Sequence, residues 1–400
     1  MLSTFEEMVD YFDKLNQDTS HFNSSNDICT PMGCVKEMID AIPEEFWGRS
    51  QIKILDPCAG NGNYPAYLAL KTNVNNIYCN EISPIRYANL YDYFKDTNIN
   101  LMSVDFFQMP DDPEYDLIIA NPPYAKFTAQ GTRAAKNHTL SREFLQKAVK
   151  MVKDNGYLVF ILPDNWMSYA DRNNLPGLLS QYKILTLNIG EAKKWFPGVG
   201  SSFTYFVIQK VPNDGSNTKI ISNSGVDYAP IDTNVPCIPL KYNNVIRSLF
   251  NKVIFNNDEK YKVQTSSNLH RTTKSALLSD KQDENHPYRL IHTPNQTVWS
   301  KQPHIYQNGW KVFLPTTTYF HPFVDVDCGM TQSIAFILCD SKEEAERICE
   351  EISKPIYKTI IDLTRYGNFN NQRVLQHLTL FKNINLTEEE QNYVDNYPYH

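Results

Sequence analysis

Residues 116–127 read DLIIANPPYAKF. The apolar run Leu117 to Ala120 reads as a short buried strand, and it stops abruptly on an amide, two prolines and a tyrosine. Each proline fixes its own φ, pushes its predecessor toward extended geometry and removes an N–H. The product is a stiff turn that presents acceptors. Asn121 offers a side-chain carbonyl and Pro122 a main-chain carbonyl, with the flat ring of Tyr124 beside them. An exocyclic amine on an aromatic ring, with two N–H donors, complements such a set.

Outward from this stretch the chain alternates between two periods. IKILD (52–56), NIYCNE (76–81), DLIIAN (116–121) and GYLVFILP (156–163) are strand-like, and helical stretches at 64–71, 84–95 and 141–153 separate them. That alternation predicts a parallel sheet covered on both faces. Helices are expected over 4–16 and 32–42, the second after Thr30-Pro31, where threonine can cap and proline suits the first turn. A helix near 172–180 precedes KILTLNI (183–189) and SFTYFVIQK (202–210), a closing pair of strands. At about Val211 the alternation ends in the turn-rich PNDGSNTK, so the division is expected there: residues 1–212 and residues 213–400. Near the end, SKEEAERICEEISKPIYKTIIDLTRY predicts a helix interrupted by Pro355.

Four hundred residues with 42% apolar content can supply a core for each of two domains. No run approaches the length of a membrane span, and the acidic, amphipathic N-terminus is unlike a signal peptide, so the cytoplasm is the expected location. The eight cysteines have neither CxxC pairs nor Cys/His ligand spacing, and no metal is expected. A net charge of −7 disfavours a polyanionic partner on its face, but clusters matter more than sums. Residues 117–153 hold seven basic residues against Glu143 alone, and 354–382 hold five against Asp362.

A second loop stands ahead of the double proline. ILDPCAGNGNY ends a strand on Asp56 and places Gly60 and Gly62 before a helix, a geometry that lets backbone approach a ligand beyond the strand ends. It is neither a P-loop nor the three-glycine dinucleotide pattern. Glu81 ends the next strand, where a carboxylate can accept from two ribose hydroxyls; in VDFF, Asp105 can meet an exocyclic amine and Phe106 an adenine face. A nucleoside without a phosphate tail suits this order, and S-adenosylmethionine suits it better than NAD.

DPCAGNG followed by NPPY, with CTP at 29–31, resembles the S-adenosylmethionine-dependent N6-adenine DNA methyltransferases of the gamma arrangement. The resemblance covers nearly all of residues 20–212. It implies a Rossmann-like class I methyltransferase of α/β class, with a mostly parallel seven-stranded sheet and a C-terminal α+β target-recognition domain. It implies that Thr30 and Pro31 lie over the methionine end of the cofactor, that Asp56, Gly60 and Gly62 form its first loop, and that Glu81, Asp105 and Phe106 contact ribose and adenine. Asn121, Pro122, Pro123 and Tyr124 become the catalytic motif, Asn121 also facing the cofactor. Phe144 lines the cofactor pocket, and Phe196 in WFPGV becomes the second aromatic that holds the target base. Some relatives carry a basic residue after the FP pair; here Gly198-Val199 follow.

The implied chemistry is methyl transfer to a flipped adenine, with Tyr124 and Phe196 on its ring and the Asn121 and Pro122 carbonyls on its N6. Lys126, Arg133, Lys136 and Arg142 are candidates for phosphate contacts, and the Asn, Gln and Arg residues of RYGNFNNQR (365–373) for base contacts. Double-stranded DNA is the expected partner of a monomer or weak dimer, alongside a cognate restriction endonuclease. Rival substrates for the same motif are adenine in RNA and protein glutamine; an acid-based nuclease (PDD at 110–112, DEK at 258–260) and an inactive DNA-binding module are rivals of other classes.

Overall fold

A computed structural model of the chain describes residues 4–17, 29–124, 139–170, 174–197, 200, 202–367 and 369–399. Contacts divide it into two compact units, the first made of Met1–Trp166 with Asp171–Pro236, the second of Met167–Ala170 with Cys237–His400.

Unit 1 is built on one sheet. Its strands are β1 (Ile54–Asp56), β2 (Ile77–Asn80), β3 (Asn100–Met102), β4 (Tyr115–Ala120), β5 (Val152–Pro163), β6 (Tyr182–Ile189), β7 (Phe203–Pro212), β8 (Asn217–Ser222) and β9 (Gly225–Pro230). Their order in space is β3-β2-β1-β4-β5-β7-β6-β8-β9. β1 to β5 pair in parallel, and β7 enters antiparallel between β5 and β6. The helices are α1 (Phe5–Gln17), α2 (Met32–Asp40), α3 (Glu44–Trp47), α4 (Asn63–Leu68), α5 (Pro84–Phe94), α6 (Thr139–Met151) and α7 (Leu175–Leu179).

Both faces of the central strands are closed. Leu117 and Ile119 on one face of β4, and Ile118 and Ala120 on the other, are all fully buried, as are Leu158, Val159, Phe160 and Ile161 on β5. This is why β4 reads as a continuous apolar run rather than as an alternation. Each of these Leu, Ile, Val and Phe side chains contributes roughly 1.5–3 kcal/mol of burial. Asp116, the one carboxyl side chain in β4, lies near its amino end, where Oδ2 accepts from Lys53 N (2.9 Å) and from Lys153 Nζ (2.8 Å).

The strand number differs from the expected seven. The sheet has nine strands, because β8 pairs in parallel with β6 and β9 returns antiparallel to β8. The turn at 213–216 carries the chain past the end of β6, from β7 on one side of it to β8 on the other, and both strands lie in the first compact unit. Local turn chemistry looks alike at a domain boundary and between two strands of one sheet.

Unit 2 is α+β. It holds a four-stranded sheet of β10 (Leu278–Ser279), β11 (Tyr288–Thr293), β12 (Gln296–Ser300) and β15 (Gly329–Met330), and a three-stranded sheet of β13 (Trp310–Pro315), β14 (Phe323–Val326) and β16 (Ile334–Cys339). Its helices are α8 (Asn244–Phe250), α9 (Lys342–Ile352), α10 (Pro355–Leu363), α11 (Gln372–Gln376) and α12 (Glu388–Asp395). α9 is capped by Ser341, whose side chain accepts from Glu344 N, and α10 restarts with Pro355 in its first turn, where the missing N–H has no partner to lose. No described helix is long and apolar enough to cross a membrane.

Candidate active site

At the carboxyl ends of β1, β2 and β4 a cavity of about 430 Å³ opens in unit 1. That volume lies within the usual range for small-ligand sites. Its wall brings together Thr30, Gly60, Glu81, Asp105, Phe106, Asn121, Pro122, Pro123, Tyr124, Phe144 and Phe196, which the sequence scatters over 167 positions. Pro31, Asp56 and Gly62 are not on the wall and support it from behind.

The first loop is shaped by backbone needs. Gly60 (φ +57°) and Gly62 (φ +103°) both adopt left-handed conformations, and a Cβ on Gly62 would lie 2.3 Å from the Phe94 ring. Gly60 N donates to Glu81 Oε2 (2.9 Å) and Ser83 N to Oε1 (2.8 Å), so the Glu81 carboxylate links the ends of β1 and β2. Each oxygen retains a further lone pair. Burial raises the Glu81 pKa above the ordinary value, opposed by these N–H donors. Asp56 is fully buried; Oδ1 accepts from Cys58 N (3.2 Å), Oδ2 has no partner, and burial pushes the carboxyl up to about 8.

Asn80, which sequence reading passed over, ties three loops. Its Nδ2 donates to Pro57 O (3.1 Å) and Val104 O (3.0 Å), and its Oδ1 accepts from Val104 N (3.0 Å). An amide at the end of the apolar IYCN was the available signal. The Asp105 side chain accepts from Phe107 N (2.9 Å) and so begins a short 3-10 turn that faces Phe106 inward. Phe106 stacks on Phe144 with centroids 4.8 Å apart, which covers one ring face with protein; the Lys147 ammonium lies 5.7 Å from the Phe106 centroid.

The second loop centres on Asn121. Its Nδ2 donates to Thr30 Oγ1 (3.1 Å), its main-chain carbonyl accepts from Cys58 Sγ (3.4 Å), and its Oδ1 accepts from Tyr124 OH. The Tyr124 pKa is raised, chiefly by burial. Thr30 does not cap α2: Pro31 occupies the N-cap position and no side chain caps that helix. The Thr30 hydroxyl is engaged by Asn121 instead, and Asn63 Nδ2 holds the Thr30 carbonyl at 2.8 Å.

Phe196 closes the wall. Its ring lies 4.5 Å from that of Phe203, which in turn lies 6.2 Å from Tyr124. Phe203, on β7, was invisible as a site residue because an aromatic in a strand is ordinary core. The turn bearing Phe196 is seated on α2 through Gly33, where an added Cβ would fall 2.1 Å from the Trp195 ring, and through an ion pair between Lys194 and Glu37 (2.5 Å).

Among the described residues, three basic side chains of the run are ion-paired. Lys147 and Lys150 both pair with Asp111 (2.6 and 2.8 Å), which holds that carboxyl low, at about 2, and Lys153 pairs with Asp116. Arg142 is half-buried, with an enclosed Nη1 that has no hydrogen-bond partner. Lys126, Arg133, Lys136, Gly198 and Val199 lie outside the described residues.

The parallel strands in order 3-2-1-4-5, followed by an antiparallel seventh strand inserted before the sixth, define the class I methyltransferase form of the Rossmann-like α/β fold. Within it, residues 62–196 match the model of the Eco57I restriction-modification methylase family. Over 206 residues the chain is 27% identical to the type II methyltransferase M.HincII of Haemophilus influenzae, covering 46% of this chain and 37% of that one. Over 147 residues it is 30% identical to an uncharacterized adenine-specific methylase of Mycoplasma pneumoniae, covering 34% and 33%. The chain thus spans only about a third of the length of these curated relatives. Among solved structures, a DrdV–DNA complex aligns with 99% of this chain and 59% of its own at a TM-score of 0.55 and 11% identity, a likeness of fold.

Proposed function

We propose that the chain is a site-specific DNA adenine N6-methyltransferase that uses S-adenosylmethionine. Unit 1 would carry cofactor binding and catalysis, and unit 2 target recognition. The observation that carries the reading is the orientation of Asn121. With Nδ2 held by Thr30, Oδ1 is the amide atom left to accept, at the end of β4 and on the cavity wall.

The cavity fits the cofactor by chemistry. Glu81 has lone pairs for two ribose hydroxyls, and the Phe106–Phe144 pair offers an apolar wall to adenine. When bound, S-adenosylmethionine would supply an electrophilic methyl group, its sulfonium carbon–sulfur bond breaking to a neutral thioether as the bond to N6 forms, with the surplus N6 proton passing to solvent.

The protein's own contribution is recognition and alignment. Adenine N6 is a weak nucleophile because its lone pair is delocalised into the ring, and it is inaccessible within a stacked duplex. A flipped adenine would lie against Tyr124 and Phe196, with Asn121 Oδ1 and Pro122 O accepting its two N6–H bonds. Those bonds favour a more tetrahedral nitrogen and strengthen as positive charge develops there, so they act on the transition state more than on the ground state. The relatives named methyltransferases support this reading over the nuclease and inactive-module alternatives, and the one named adenine-specific supports the choice of base.

The test is transfer of labelled methyl from S-adenosylmethionine to duplex DNA, followed by nucleoside analysis. N6-methyladenine in DNA is expected, with a loss of roughly 10²–10³ in kcat for Asn121→Ala by analogy with removal of one preorganised partner of a developing charge. Label only in RNA or in protein glutamine overturns the substrate, and full activity of Asn121→Ala overturns the mechanism.

A further inference from the structure

The amides of RYGNFNNQR, candidates for reading bases, have other work in the structure. Asn370 is buried: its Nδ2 donates to Pro315 O (2.7 Å) and Thr318 O (3.0 Å), and its N–H to Thr316 O (2.9 Å). Asn371 caps α11 by accepting from Arg373 N (2.9 Å), and its Nδ2 donates to Tyr169 O (3.1 Å). These bonds staple the 365–373 segment to the loop after β13. What the staple leaves outside is aromatic. Phe369, beside Asn370, is 62% exposed, and Tyr319, beside Thr318, is 57% exposed, with the Arg365 guanidinium 4.6 Å from its ring centroid.

Two large exposed rings and a stacked guanidinium on a hydrogen-bonded platform are not the chance exposure of a single apolar side chain. Of the five basic residues of 354–382, Lys382 pairs with Glu259 (3.1 Å) and Lys354 lies over the Phe381 ring (4.6 Å), while Arg365 is the one stacked on Tyr319. Arg365 brings a cation to the exposed Tyr319 ring, and that charge suits a polyanion. Stacking confines Arg365 to one plane, which suits planar contact with a phosphate, while exposed rings suit sugars and base faces.

We propose that Tyr319, Arg365 and Phe369 form a duplex-DNA contact surface of unit 2, with Arg365 on the phosphate backbone and Phe369 packed against sugar or base. It rests on the reading that DNA is the substrate, and it assigns affinity to a stacking platform in place of the Asn and Gln side chains of the same segment.

The experiment titrates the full chain into a fluorescent mixed-sequence DNA duplex at several salt concentrations, with methyl transfer to DNA measured on the same preparations. Phe369→Ala and Tyr319→Ala should weaken binding roughly tenfold. Phe369→Ala should leave the salt dependence unchanged, whereas Arg365→Gln should lower its slope by about one. Because Phe369 is exposed, its replacement should not shift the melting temperature or S-adenosylmethionine binding. Phe369→Lys separates ring from charge: weaker binding supports stacking, and tighter binding overturns it. Wild-type affinity and salt slope in all the variants overturn the surface while methyl transfer to DNA persists. Absence of transfer to DNA by the wild type instead defeats the underlying reading.

Discussion

The Tyr124 hydroxyl donates to Asn121 Oδ1, the same oxygen proposed to accept from the target amine. Asn121 therefore sits between two hydroxyls, one accepting from its Nδ2 and one donating to its Oδ1. Each hydroxyl can donate or accept, so the direction of the amide and the two hydroxyl protons are set together. A substrate N–H must then share Oδ1 with Tyr124 or replace it.

Tyr124→Phe removes that competition and keeps the ring. It should retain methyl transfer within a few-fold while lowering stability by about 0.5–1.5 kcal/mol, the net worth of one hydrogen bond. Tyr124→Ala should lose far more activity, because the stacking face goes with the hydroxyl. Steady-state kinetics and urea unfolding on the two variants test this; equal losses would mean that the hydroxyl, and not the ring, carries the role.

Thr30→Val keeps the shape of the side chain and removes the acceptor for Asn121 Nδ2. With the amide free to turn, kcat for methyl transfer should fall by about tenfold or more, equivalent to about 1.4 kcal/mol. Thr30→Ser should restore it. S-adenosylmethionine affinity, measured by calorimetry, separates this positioning role from direct cofactor contact: an unchanged kcat with a weakened affinity in Thr30→Val would place Thr30 on the cofactor alone.

Gly33→Val should be among the more damaging single changes in α2. The added Cβ would meet the Trp195 ring at 2.1 Å, and overpacking of this kind costs roughly 1–3 kcal/mol. Because Trp195 precedes Phe196, activity should fall along with the melting temperature, and Trp195→Ala should partly relieve the Gly33→Val defect. A melting temperature equal to wild type in Gly33→Val would show that the turn bearing Phe196 is not seated as described.

Asp56 gives a pH signature. Its folded pKa of about 8 lies above the unfolded value near 3.9, so the native state holds its proton more tightly. The associated stability is fully present below pH ~4 and is lost as pH rises toward 8, with a slope approaching about 1.4 kcal/mol per pH unit from this one proton. Asp56→Asn should flatten that region of the curve. Urea unfolding of ligand-free wild type and variant between pH 5 and 8 is the measurement; parallel curves would mean that Asp56 ionises normally.

The alternation of strands and helices over 52–163 was legible because both faces of a parallel sheet are apolar. An apolar run such as Leu117 to Ala120 has few other uses. Gly60 and Gly62 were legible for a related reason, as few residues tolerate their left-handed conformations. The sites that escaped reading are those whose role depends on a distant partner. Phe203 reads as core in any strand, and Asn80 reads as a strand end; only their neighbours in space bring them into the cavity. In the basic run at 117–153, the acids that pair with Lys147, Lys150 and Lys153 lie 36–39 positions away in sequence, so their pairing is not legible in the run itself.

By itself, the amino-acid order determined the chemistry that is local: a strand ending in a proline-stiffened turn with Asn121 and Tyr124 on it, and a glycine loop beyond Asp56. Backbone sterics and apolar periodicity act over a few residues and are written in the chain. The choice among equal local options belonged to the tertiary structure. Thr30 could cap its helix or orient Asn121, residues 213–216 could leave the sheet or carry the chain past β6 into a further strand of it, and Asn370 could face solvent or staple a loop. Each hydroxyl, turn and amide can satisfy one set of partners at a time, and packing decided which set was within reach.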